Sequence, residues 1–329
     1  MRVKILSASS ITPETIVTND DLAEFMKVDK KALGDPCEIS SRRFLKKGDT
    51  GAKWASESAK QALSALGKGP EDLQAIFYST LTPDHQFPGN AAFTQKEMGI
   101  AGQAILDIRS CDGGFLHTLS AAAAFIEIGH FDFLLLGADD IFSTYLRYNP
   151  EGLGVTELFG DGAAAWILGP STDDSGILSL EVGNDPGKIR SFWAKLPGTI
   201  LKPRMDAELI QSGKWHFHID VEEMKAETLR LMPAVAAKAL EKAGVTAGDI
   251  KLFIPSCLKA SWGKSVADEL GIDPVRVADT HGERGYYGTA VIPTCMDIAM
   301  KNGVVGKGDL VLAAAVGSGV SFGAMVYRI

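Results

Sequence analysis

The chain repeats itself. Residues 62–79 read A-L-S-A-L-G-K-G-P-E-D-L-Q-A-I-F-Y-S, and residues 239–256 read A-L-E-K-A-G-V-T-A-G-D-I-K-L-F-I-P-S. Leu63 falls opposite Leu240, Gly67 opposite Gly244, Asp72 opposite Asp249 and Ser79 opposite Ser256, always 177 positions apart (240 − 63). Each copy spells a helix, a glycine stop, a turn and a largely apolar strand read as buried. A looser match follows in each half, at residues 105–129 and 275–303: strand, glycine-bearing turn, apolar helix. Duplicated units of this size predict two related α/β halves packed together without a linker.

The halves are placed at residues 1–170 and 171–329. Residues 171–218 fit no repeat and read as an insertion in the second half. They carry Phe192, Trp193 and Trp215 among several Gly and Pro. Such a segment either roofs an apolar pocket or is a plain surface excursion. Strands are predicted at 73–78, 105–108, 131–137, 163–168 and 252–255. Helices are predicted at 52–66, 113–128, 221–243, 264–270 and 291–302. Largely apolar strands alternating with helices imply a mixed or parallel sheet covered on both faces.

Composition narrows the function classes. A net charge of −8 and no Lys/Arg cluster interleaved with aromatics argue against nucleic-acid binding. Residues 310–327 are uncharged and long enough to span a membrane. Gly317, Ser318, Gly319, Ser321 and Gly323 interrupt them, so two buried strands joined by a glycine turn are expected instead. The four cysteines, 37, 111, 257 and 295, form no C-x-x-C pair, which predicts free thiols in a reducing cytoplasm and no zinc site. No metal or cofactor signature is present, so none is expected.

The chemistry centres on Ser110-Cys111-Asp112-Gly113-Gly114. A strand ends just before Cys111 and a helix starts just after it. Unpaired N–H groups and the positive end of that helix would favour a thiolate, and the glycines allow close approach of a substrate to the backbone. A buried structural cysteine is the alternative. Asp161, in Phe159-Gly160-Asp161-Gly162, reads as a turn-capping carboxylate rather than a catalytic one. Gly317-Ser318-Gly319 offers backbone N–H groups for an oxyanion hole, or simply a turn needing positive φ. His281 opens the loop before Gly282-Glu283-Arg284-Gly285. It is the candidate base of the second half, against a solvated loop histidine.

These motifs together resemble β-ketoacyl-acyl-carrier-protein synthase III and its relatives in the thiolase-like superfamily, over essentially the whole chain. Thr18-Asn19-Asp20-Asp21-Leu22 resembles an early helix start of the family. Ile39 to Phe44, with Arg42 and Arg43, resembles its arginine-bearing strand. His85-Gln86-Phe87-Pro88 resembles the loop that reaches the dimer partner's active site. Phe159 to Ala165 resembles its glycine-aspartate-glycine turn, and Gly317 to Gly323 its closing hairpin. The resemblance implies a five-layer αβαβα sandwich and a homodimer in which Phe87 contacts substrate. It implies that Cys111 attacks a thioester and carries the acyl group, with the N–H groups of Cys111 and Ser318 holding the oxyanion.

Two positions depart from the family pattern. A catalytic histidine is expected after the proline of residues 252–255, where this chain has Ser256. A catalytic asparagine is expected after the glycine matching Gly285, where it has Tyr286. Serine and tyrosine donate hydrogen bonds but do not replace an imidazole, and loss of one oxyanion donor costs roughly 10²–10³ in rate. Asp112 stands where the family has a small residue. It would raise the thiol pKa, or serve as a base. The adenine-sandwiching arginine and tryptophan of coenzyme A-binding members have no clear counterpart near Leu33 or Leu153. That weakens the case for a CoA donor and leaves an acyl carrier protein as the other donor, docked on basic residues such as Lys259 and Lys264.

The expected function is thus a cytoplasmic acyltransferase of fatty-acid or polyketide type, without ordinary malonyl decarboxylation. Its site comprises Cys111, Ser256, Tyr286 and Ser318, with Phe87, His281 and Lys259 contacting substrate. A catalytically silent partner subunit of a related synthase and a thioester hydrolase are the alternatives.

Overall fold

In the computed structural model, which describes residues 2–33, 38–278 and 281–329, two sheets are sandwiched among three layers of helices. The first sheet has the order β1 (Val3–Ile11), β7 (Asp161–Pro170), β6 (Leu134–Ile141), β4 (Ala75–Ser79), β5 (Ala104–Ile108). The pairs β4–β5 and β4–β6 are parallel, whereas β6–β7 and β1–β7 are antiparallel. The second sheet runs β11 (Ile250–Ser256), β12 (Leu310–Gly317), β13 (Ser321–Arg328), β8 (Gly176–Asn184), and only β11–β12 is parallel.

The helices α2 (Gly51–Ser64) and α3 (Asn90–Met98) cover the outer face of the first sheet, and α6 (Val221–Ala243) and α7 (Ala260–Leu270) that of the second. Between the sheets lie α4 (Gly114–Glu127) and α8 (Val291–Lys301). The sandwich expected from the resemblance is present. So is the mixed sheet expected from the sequence: every residue of β4 and β6 is buried, as two-sided burial requires. Smaller elements decorate this frame. They are β2 (Thr15–Thr18), α1 (Asn19–Met26), β3 (Ser41–Phe44), β9 (Phe192–Trp193), α5 (Ala207–Gln211) and β10 (His218–Ile219).

The repeat has a structural counterpart down to single hydrogen bonds. Asp72 accepts from the Gly69 N–H at 2.9 Å, and Asp249 from the Thr246 N–H at 2.8 Å, each closing the turn that feeds its strand. Residues 310–327 form the β12–β13 pair joined by a three-residue turn, not a membrane helix. Among the described residues no helix is long and apolar enough to cross a membrane. Cys111 and Cys257 are free thiols; Cys37, expected to be another, lies outside the described residues.

Two expectations need correction. Residues 176–184, counted with the insertion, are strand β8 at the edge of the second sheet. Their alternation, Leu178-Ser179-Leu180-Glu181, fits a strand with one half-open face. The excursion proper therefore starts after Asn184. The strand predicted at 131–137 instead spans Leu134–Ile141, beginning later and running past two aspartates, Asp139 and Asp140, that are fully buried rather than turn residues.

Candidate active site

The β5-to-α4 connection presents Cys111. A short 3₁₀ turn, Cys111–Gly113, precedes α4 directly. Cys111 itself has φ of 47°, a left-handed value rare outside Gly, Asn and Asp and frequent at functional turns. The turn is pinned to β13: Ser321 Oγ donates to the Ser110 carbonyl at 2.7 Å, and the Gly113 N–H donates to Ser321 Oγ at 3.3 Å. A Cβ on Gly113 would sit 2.8 Å from that same oxygen, so the approach needs glycine.

Cys111 lines a cavity of about 220 Å³ with Leu81, Arg109, Tyr145, Phe192, Trp193 and Ser318, among others. Phe192, Trp193 and Phe217 come from the excursion after β8, which therefore roofs the thiol. Strands β9 and β10 hold that roof, pairing Trp193 with His218 and Phe192 with Ile219. An adjoining cavity of about 470 Å³ shares Tyr145, Trp193 and Phe217 and adds Arg147, Lys195, Lys214 and His216.

Asp112 points the other way, into the protein, and joins three of the residues expected at the site. Its Oδ1 accepts from Tyr286 Oη at 2.8 Å and its Oδ2 from the Ser318 N–H at 3.2 Å. Ser256 Oγ lies 3.5 Å from Tyr286 Oη and 3.4 Å from the Gly288 carbonyl. Cys111, Ser256, Tyr286 and Ser318 are thus gathered around Asp112. The Ser318 N–H, expected free for an oxyanion, is engaged by that carboxylate, and Ser318 Oγ donates to the Phe192 carbonyl. Gly317 makes room: a Cβ there would lie 2.1 Å from Asp112 Oδ2.

Burial raises the Asp112 pKa, against the donors from Tyr286 and Ser318. The Cys111 thiol is pushed up to about 11, by burial first and then by the Asp112 charge, with Ser318 and Arg109 opposing. The thiolate expected from the helix terminus is therefore not the resting form. Desolvation and the neighbouring carboxylate outweigh the N-terminal field.

The remaining candidates stand elsewhere. His281 is buried, not solvated; its Nε2 donates to the Cys257 carbonyl at 2.7 Å, and its ring stacks on Tyr286 at 5.9 Å. It supports Tyr286 and does not line the Cys111 cavity. Phe87 is 78% exposed and Lys259 is half-buried; neither lines that cavity. Asp161 accepts from the Leu45 and Ser143 N–H groups at 2.7 and 2.9 Å, a structural role, but one that ties distant segments together and does not cap its own turn.

Sequence reasoning missed Asp140. Its Oδ1 accepts from the Leu81 and Thr82 N–H groups at 2.7 and 3.0 Å, and its Oδ2 from the Thr289 N–H at 2.8 Å. One carboxyl thereby ties the Leu81 wall of the cavity to the loop bearing Tyr286 and Gly288. The available signal was a pair of aspartates closing an otherwise apolar strand at its carboxyl end, where ligand-side residues of such sheets gather.

The comparisons with known proteins agree with this fold. Residues 106–186 match the 3-oxoacyl-[acyl-carrier-protein] synthase III family, and residues 240–329 its C-terminal region. A β-ketoacyl-[acyl-carrier-protein] synthase III of Caulobacter vibrioides is 30% identical over 338 residues, covering all of both chains. An acetoacetyl CoA synthase of a Streptomyces species is 29% identical over 98% of this chain and 97% of its own. The crystal structure of 3-oxoacyl-[acyl-carrier-protein] synthase III from Aquifex aeolicus superposes with a TM-score of 0.89 at 27% identity, covering 99% of this chain and 100% of that one. Fold and relatives define an acyl-transferring, condensing-type enzyme with the thiolase-like architecture. The chain belongs to the 3-oxoacyl-acyl-carrier-protein synthase III family.

Proposed function

We propose that Cys111 accepts an acyl group from a carrier-protein or CoA thioester and passes it to an acceptor without the ordinary decarboxylation of a malonyl thioester. The observation that carries this reading is the cavity that Cys111 and Ser318 line, with the Asp112–Tyr286 pair buried behind them. The small cavity takes the acyl chain. The adjoining one, with Arg147, Lys195, Lys214 and His216, takes the polar arm of the donor.

In the loading step Cys111 Sγ bonds to the thioester carbonyl carbon and the bond from that carbon to the donor sulfur breaks, the Cys111 proton leaving with the donor thiol. Asp112 does not touch the reacting atoms; its carboxylate holds Tyr286 and the Ser318 N–H behind the cavity. Ser256 and Tyr286 occupy the positions of the family's histidine and asparagine and leave no imidazole to stabilise a malonyl-derived enolate. The acceptor is then a carbon nucleophile of another kind, an amine, an alcohol or water. The family resemblance and exposed Phe87 support a homodimer.

The second step is tested by giving the acylated enzyme labelled malonyl thioester alongside amine, alcohol and water acceptors. Acyl transfer without release of labelled CO2 is expected. Stoichiometric CO2 release would overturn the proposed second step.

A further inference from the structure

Residues 186–205 contain Lys188, Arg190, Lys195, Lys202 and Arg204 and not one Asp or Glu, in a chain whose net charge is −8. Lys188 is paired with Glu223 at 2.7 Å, and Arg190 lies 5.4 Å from the Trp193 ring centre. Lys202 and Arg204 are exposed and pair with no carboxylate among the described residues. Between and beside them stand Ile200, 76% exposed, and Met205, 40% exposed. At the foot of this crest, Trp193, Ala194, Leu196 and Pro197 line the Cys111 cavity, and Lys195 lines the adjoining one.

The lysines of the other candidate patch also pair with no carboxylate among the described residues, but their segment carries acids of its own. Lys259 and Lys264 share residues 256–270 with Asp268 and Glu269. Glu38 accepts the Ser261 N–H at 2.7 Å at the start of α7, and the charge of Lys259 acts on the buried Glu157 carboxyl. An acidic macromolecule is therefore drawn to the crest, not to α7.

We infer that the crest at 186–205 docks the acidic carrier protein that delivers the acyl thioester. This rests on the reading that Cys111 is loaded from a thioester. Two apolar side chains set among cations on a Pro- and Gly-bearing turn suit the polar, charge-complementary rim of a protein interface. They form too small an apolar face to lie in a lipid interface.

The test is the Lys202→Glu/Arg204→Glu double variant, with octanoyl-acyl carrier protein and octanoyl-pantetheine as donors and Cys111 acylation followed by mass spectrometry. At low salt, KM for the carrier is expected to rise about tenfold or more, an effect that shrinks as salt screens it. Loading from octanoyl-pantetheine is expected to stay within about twofold, as is carrier KM in Lys264→Glu. A carrier KM raised by Lys264→Glu but not by the crest variant overturns the inference, as does equal loss with both donors. Binding of phosphatidylglycerol vesicles that the crest variant loses, with carrier KM unchanged, also overturns it and assigns the crest to a lipid surface. Loading of the unmodified protein from octanoyl-pantetheine but not from the carrier removes the docking inference alone. Loading from neither removes the thioester reading together with it.

Discussion

Tyr286 Oη donates to Asp112 Oδ1 across 2.8 Å, both side chains fully buried and 174 residues apart in sequence. This bond joins the nucleophile turn of the first half to the loop of the second. Tyr286→Phe leaves the carboxylate with only the Ser318 N–H. A hydrogen bond to a charged group is worth about 1.5–3 kcal/mol, and urea denaturation should show a loss of that order. Loading of Cys111 should persist while acyl transfer to the acceptor slows about tenfold or more.

Asp112→Asn separates thiol ionisation from thiol activation. It removes the charge that, after burial, most raises the Cys111 pKa of about 11. Alkylation of Cys111 by iodoacetamide near neutral pH should therefore become severalfold faster. Acylation by a thioester should become slower, because the amide offers one acceptor where the carboxylate holds both Tyr286 and the Ser318 N–H. Parallel changes in both rates would contradict the role given to Asp112.

Asp140 makes stability depend on pH. Burial, with the Asp112 charge assisting, raises its carboxyl to about 7 against the donors from Thr289 and Leu81. The folded chain then binds the proton more tightly than the unfolded one. The associated stability is fully present below the ordinary carboxylate pKa and is lost as pH rises through about 7. Urea midpoints for Asp140→Asn should show a slope shallower than the unmodified protein's by up to ~1.4 kcal/mol per pH unit in this window.

Gly317 has an ordinary extended φ of −149°, so only space restricts it. Its added Cβ would lie 2.1 Å from Asp112 Oδ2. Gly317→Ala should cost ~1–3 kcal/mol in thermal or urea unfolding and abolish loading, because Asp112 is forced off the Ser318 N–H.

The parts legible in the sequence were those set by local pattern. Helix α6 coincides with its predicted span, 221–243, because a 23-residue amphipathic run between the Asp220 cap and the Gly244 stop leaves little latitude. The Asp72–Asp249 equivalence was legible because each aspartate caps its own turn. Asp140 was not, because its donors come from residues 58–149 positions away and only the fold brings them together. The engagement of the Ser318 N–H by Asp112 was hidden for the same reason, across 206 positions. The balance at Cys111 was not legible, because the helix terminus and the opposing Asp112 are visible in sequence and the desolvation that decides between them is not.

The most direct measurement is intact-protein mass spectrometry after incubation with acyl-carrier and acyl-pantetheine thioesters of graded chain length. The expected result is a mass increase of one acyl group, absent in Cys111→Ala and mapped to the peptide containing Cys111. Absence of any adduct across the series, or an adduct that survives Cys111→Ala, would contradict Cys111 as the acyl carrier.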